Sequence, residues 1–321
     1  MVFPPIQDSQ SPRDFVSPPK LAQSVKGVYN PLSIGLALQP GPGRNAALQP
    51  EFTELKRMPS QRFRLTVIVV ALSALAIVLA VAAPPHGALD KADLVGYAIC
   101  HRIPERSFFL AGRQMPLCAR CTGTFLGGIL GLVVFLILQR GRASRMPPVA
   151  VLGALILFMA LWGFDGLNSY LTFFPGAPHL YVPQNWLRLT TGTLNGLALI
   201  TFLWPIFNFT LWREPSPETV IKNPWELVAI LPAAALLILV VQAQIGFLLY
   251  PLAILSSLGV VILLVLINSM IATFVLGREA YARTWRQALV PITCGAALAF
   301  AEVAGLVLLR DSLTTTFGLP F

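Results

Sequence analysis

Between Glu226 and Arg278 the chain carries no charged residue. One helical crossing of a bilayer needs about 20 apolar residues, so this stretch is too long for a single span and must hold two. The segment QAQIGFLLYP divides it. Uncharged stretches of spanning length recur along most of the remaining chain. Composition agrees, with 12% of the 321 residues charged and 55% hydrophobic. An ordinary globular chain carries roughly 25% charged residues, and a soluble fold of this size cannot bury that much apolar surface. The expected fold is all-α: a polytopic, multi-pass bundle of about seven spanning helices in the cell membrane, with the lipid bilayer as its partner.

The spans fall near 64 to 83, 122 to 139, 148 to 164, 189 to 212, 226 to 243, 250 to 276 and 287 to 309. Basic residues cluster at alternate ends: Lys56, Arg57, Arg62 and Arg64; Arg140, Arg142 and Arg145; Arg213 and Lys222; Arg278, Arg283 and Arg286. Cytoplasmic loops are enriched in Lys and Arg, so the N-terminus is expected inside and the C-terminus outside. The net charge of +9 then reflects topology. No continuous basic face or aromatic-basic module is visible, and no nucleic-acid partner is expected. Residues 1 to 60, rich in Pro and Gly without sustained periodicity, read as a disordered cytoplasmic tail. Residues 61 to 84 are the first span, 85 to 212 a cysteine-loop core with spans two to four, and 213 to 321 a three-helix membrane extension.

The chemistry concentrates in CHRIPERSFFLAGRQMPLCARCTG, from Cys100 to Gly123. The preceding residues form a short amphipathic helix that must stop before Pro104, while Pro116 suits the first turn of the second span. Cys118 and Cys121 share one helical face near a helix N-terminus, where free N–H groups favour thiolate. The loop can return Cys100 and His101 to that pair. Three sulfurs and one nitrogen form a ligand set for zinc or another transition metal. Adjacency of Cys100 and His101 opposes their ligating one ion. Two other readings stay open: a redox pair or disulfide among the cysteines, favoured on an oxidising outer face, and reduced packing cysteines.

Arg102, Arg106, Arg113 and Arg120 surround the same loop. Arg120 can lower a thiol pKa, hold a phosphate or carboxylate, or snorkel to headgroups. Asp165 and Asn168 stand at the outer end of the third span, Asn185 and Arg188 at that of the fourth, so an Asp165–Arg188 pair is expected. Glu302, in the outer half of the last span, can bind a ligand, relay protons, pair with Arg188 or Arg120, or sit as a partnered buried acid. Candidate catalytic residues are Arg120, Asp165, Arg188 and Glu302, and candidate ligand-binding residues are Arg102, Arg106, Asn168 and Asn185. Gly123, Gly127 and Gly131, with Gly192 and Gly196, form small-residue strips that permit close helix contact.

The order CHR–PERSF–G–Q–P–CARCTG, followed by FDG and then N–LRLTTG–G, resembles the bacterial and archaeal membrane family catalogued as domain of unknown function 2085, over about residues 95 to 200. The resemblance implies a small multi-helix membrane core and no particular reaction. Many family members carry glutamine where this chain has Arg102, and another where it has Asn168.

The leading expectation is an integral membrane protein with a metal-binding or thiol-redox cysteine/histidine loop at the outer face. One alternative is a membrane enzyme that binds an anionic lipid or isoprenoid-phosphate headgroup through arginines. Another is a non-catalytic scaffold or complex subunit with a membrane-protein partner. No Walker, Rossmann, kinase, hydrolase-elbow or haem-attachment motif commits the chain to a reaction.

Overall fold

The computed structural model describes residues 49–174 and 176–318. Its helices are α1 (Gln49–Ala82), α2 (Ala88–Ile99), α3 (Ala119–Ile137), α4 (Val149–Leu171), α5 (Asn185–Leu211), α6 (Pro224–Gln242), α7 (Leu249–Val275) and α8 (Trp285–Phe317). Seven of these, all but α2, are long and apolar enough to cross a membrane. The protein is a multi-pass helical membrane protein. The helix of the first span begins at Gln49, ahead of the expected start near 64, and the tail before it lies outside the described residues.

Charges marked the expected helix ends, and three helices run through them. α4 continues past Asp165 to Leu171, α5 starts before Arg188, and α8 passes Arg310 and Asp311 before Gly318, at φ 61°, caps it. A charge ends a span only where it must reach water. Each of these charges instead lies near the bundle end and finds polar partners within the protein.

α5 is the central helix, and its tightest neighbour is α3. A methyl group on Gly196 would lie 1.9 Å from the Thr124 carbonyl oxygen, and one on Gly127 2.3 Å from that of Thr193. The two glycine strips therefore let the backbones touch, as their spacing implies. α4 flanks α5, and α7 closes on α3 where Gly259 meets Phe125. α8 packs on α7 through Gly295 and Ser269.

Alternation of the seven spans gathers the segments 83–118, 172–184 and 243–248 at one end of the bundle. At the other end two short parallel strands, β3 (Ala143–Arg145) and β4 (Ser216–Thr219), join the connections after α3 and α5. Buried Arg140 there grips the Glu226 carboxylate with both terminal nitrogens, at 2.6 and 2.9 Å, and donates to the Val220 carbonyl. Glu226 in turn raises the Arg140 pKa above the ordinary arginine value. Arg142 stacks on Trp212, 3.9 Å from the ring centre. This end has the character of a structural clamp.

Candidate metal centre

The cysteine loop folds back because its apolar residues are core residues. Strands β1 (Phe109–Leu110) and β2 (Arg113–Gln114) form a tight hairpin around Ala111 and Gly112, both at positive φ. Phe108, Leu110 and Met115 are buried in one apolar cluster with Leu249, Leu252 and Ala253 of α7. Burying a Leu or Met side chain is worth roughly 1.5–3 kcal/mol against exposure to water. Gly96 of α2 lies against the start of α3, where a methyl group would sit 1.9 Å from the Pro116 carbonyl oxygen.

Those constraints deliver Cys100, just after α2, to Cys118 at the N-cap of α3 and Cys121 one turn on. The three sulfurs all lie within 4.8 Å of one another. The Cys118 amide donates to the Cys100 sulfur at 3.2 Å. Hydrogen bonds from Cys118, then Cys121, hold the Cys100 thiol well below its ordinary pKa despite burial. The same interaction with Cys100 pushes Cys118 up. Cys121 also lines an apolar cleft of about 510 Å³ with Phe125, Phe202, Leu203, Val260 and Leu264.

His101 is exposed and stays out of the sulfur cluster. Cys100 is extended (φ −124°, ψ 142°), and neighbouring side chains on extended backbone point to opposite sides. Arg102 follows in the left-handed region (φ 53°) and pairs with Asp93 at 2.7 Å, while Gln114 donates to its carbonyl at 2.7 Å. Arg113 is held by Asp93 and Asp90. Both arginines brace the loop.

Behind the sulfurs, Arg120 reaches across to α4. It pairs with the Asp165 carboxylate and donates to the Asp165 carbonyl and the Ser169 hydroxyl, each at 3.0 Å. The expected Asp165–Arg188 pair is therefore replaced by Asp165–Arg120. Tyr181 completes the arrangement by donating to Asp165 at 2.8 Å, and its pKa is raised to about 12 by burial and by that bond. Asn168 pins the connection after α4, donating to the Tyr181 carbonyl at 2.9 Å and accepting from the Leu180 amide at 2.7 Å. Arg106 donates to the Ser169 carbonyl and Thr172 hydroxyl and stacks 3.8 Å from the Phe173 ring centre. Arg188 donates to Asn185, which itself donates to the Glu105 carbonyl.

Residues 100–202 match the family described as predicted membrane protein (DUF2085). An uncharacterized protein of Methanocaldococcus jannaschii is 30% identical over 116 residues, 36% of this chain and 68% of its own length. The chain belongs to the DUF2085 family. A second relative, an uncharacterized protein of Methanothermobacter thermautotrophicus, is 39% identical over 89 residues, 25% of this chain and 76% of its own length. No solved structure matches. The DUF2085 segment contains all three clustered cysteines, Arg106, Arg120, Asp165 and Arg188.

Glu302 is not part of this DUF2085 site. It accepts from Asn268 of α7 at 2.8 Å, and neither Arg120 nor Arg188 reaches it. A residue that the sequence reading passed over does touch the site: Arg310 of α8 donates to the Cys100 carbonyl at 2.8 Å and to that of Tyr97, and packs 4.2 Å from the Tyr97 ring centre. Its signal was available as an arginine near the end of an otherwise apolar span.

Proposed function

We propose that this membrane protein holds a soft or borderline transition-metal ion, zinc foremost, in a three-thiolate centre made by Cys100, Cys118 and Cys121. The supporting observation is the approach of the three sulfurs to within 4.8 Å of one another. Tetrahedral zinc with Zn–S near 2.3 Å sets its sulfurs about 3.8 Å apart, so a contraction of about 1 Å or less completes the set. Three protein ligands leave one position for an exchangeable group, the pattern of a working site and not of a closed structural one. The nearby arginines favour the surplus negative charge of three thiolates. Basic clusters at the opposite end support a cysteine face turned to the cell exterior.

The test is metal content per chain after purification in mild detergent without chelator or histidine tag. About one ion per chain is expected. Cys118→Ser and Cys121→Ser should each lose it, while Cys294→Ser, remote from the cluster, retains it. Chains that fold with three titratable thiols and no metal would sink the proposal.

One observation favours a second reading. Cys118 and Cys121 have the spacing of a dithiol and sit at a helix N-terminus, so exchange with an external disulfide would join them, the two electrons and two protons leaving with that disulfide as two thiols. In that case the metal-free protein should lose two thiols reversibly on mild oxidation, and Cys100→Ser should leave that change intact.

A further inference from the structure

Next to the sulfur centre, and separate from it, lies a pocket of about 530 Å³ between the loop after α2 and the connection after α4. Arg106, Arg188, Glu105, His179, Val182 and Pro183 line it. Arg188 is only 6% exposed, yet it forms no ion pair among the described residues, and its Nε has no hydrogen-bond partner. Its one side-chain bond is to the neutral amide of Asn185. Arg106 likewise bonds only neutral oxygens and a ring face. Burial first, and the charge of Arg120 next, pull its pKa below the ordinary arginine value.

Three guanidinium groups therefore crowd one end of the bundle. Of the three, only Arg120 is in direct contact with Asp165, and Glu105 sits exposed at the rim. An unpaired buried cation is costly, so a site that keeps buried Arg188 beside a half-buried Arg106, neither of them ion-paired, is built for a negative partner. The positions are also fixed in advance. Asn185 accepts from Arg188 with its oxygen and donates to the Glu105 carbonyl with its nitrogen, which ties the Arg106 loop to α5.

We propose that this pocket binds a phosphate group, with Arg106 and Arg188 as paired forks on its oxygens. Two guanidiniums balance a dianionic phosphate monoester, whereas one carboxylate would leave a buried positive charge, and the forked donors of arginine match phosphate geometry. Phe174 and Val182 of the lining are exposed apolar side chains. Such a rim suits an amphiphile at the membrane surface as well as a soluble phosphate. Arg120, committed to Asp165, takes no direct part. The sulfur centre is not needed for this binding.

The test uses the full chain. Inorganic phosphate and glycerol phosphate serve as soluble probes in mild detergent. Phosphatidylcholine nanodiscs with and without phosphatidic acid serve as the lipid arm. A saturable rise in melting temperature is expected with at least one probe. Arg106→Gln and Arg188→Gln should each weaken that binding by about tenfold or more, the loss of a charge-assisted contact. Arg213→Gln, at the far end of the bundle, should leave it unchanged. Saturation by glycerol phosphate identifies a soluble ligand, and a response to phosphatidic acid alone identifies a lipid headgroup. Because Arg188 is buried, Arg106→Gln in the loop carries the test if Arg188→Gln fails to fold. Metal content is read on the same samples and should not change in Arg106→Gln, so the two proposals fail separately. No binding of any probe to the unsubstituted chain, or binding that survives in Arg106→Gln, overturns the proposal.

Discussion

Arg120 lies between Cys118 and Cys121 in sequence, yet its charge acts on α4. Its guanidinium meets a carboxylate that is 1% exposed and also receives the Tyr181 hydroxyl. A buried pair of this kind contributes little against an apolar replacement of both members, but losing one member strands the other. Asp165→Ala should therefore destabilise the protein by roughly 3–5 kcal/mol, read as a fall in melting temperature in detergent. The double variant Arg120→Leu with Asp165→Leu should recover much of that loss. If Asp165→Ala melted like the unsubstituted chain, the ion pair would not bear on the fold. The sequence showed that Asp165 needs a cation near the bundle end. It did not show which of two arginines at that depth, because the choice depends on helix rotation, which a one-dimensional pattern does not carry. His101 lies outside the sulfur cluster, in keeping with the objection its adjacency to Cys100 raised: an extended residue at Cys100 sends its neighbour the opposite way.

At the scale of elements, the α3–α5 crossing organises everything around it, since α3 brings Cys118, Cys121 and Arg120 while α5 brings Arg188. Its closeness rests on glycines that face backbone. A methyl group on Gly196 would meet the Thr124 oxygen at 1.9 Å and the Gly128 nitrogen at 2.7 Å, and neither backbone atom can turn aside. On Gly128 the nearest atom would be the end of the Leu263 side chain at 3.7 Å, an ordinary contact. Gly196→Ala should cost about 1–3 kcal/mol by forcing the helices apart, and Gly128→Ala should be nearly neutral. Thermal melting of the two variants side by side checks this, and equal effects would refute the packing argument. The spacing of these glycines was legible because a four-residue repeat on a helix is a face. Helix ends were less legible: Asp165, Arg188 and Arg310 looked like boundaries, but each is solvated by protein groups, and the helices continue through them. Arg310 also shows that α8 does more than support the bundle, since it fastens the backbone of Cys100 from the far end of the sequence. No local pattern could disclose a contact between residues so widely separated.

For the whole molecule, seven alternating spans put two unlike ends on opposite faces of a bilayer. One end holds the sulfur centre and the arginine pocket. The other is closed by Arg140–Glu226, the β3–β4 pairing and Arg142 against Trp212. Their functional difference depends on which end faces out. The clamp end carries Arg142, Arg145, Arg213, Lys222, Arg278, Arg283 and Arg286 besides Arg140, and an excess of basic residues in short connections favours the cytoplasmic side, so the proposed orientation puts that end inside. The cysteine end also carries arginines, but Asp93 and Asp90 pair with Arg102 and Arg113 there, and Asp165 with Arg120. His179 and Glu218 are exposed at opposite ends, which makes them reporters. With His179→Cys, an impermeant maleimide should label intact cells above the level of the unsubstituted chain. With Glu218→Cys, labelling should rise only after the membrane is opened. The reverse result would turn the molecule over. The three thiols would then face the reducing compartment, where a disulfide does not persist, and the redox reading of Cys118 and Cys121 would lose its support while the metal reading kept its own.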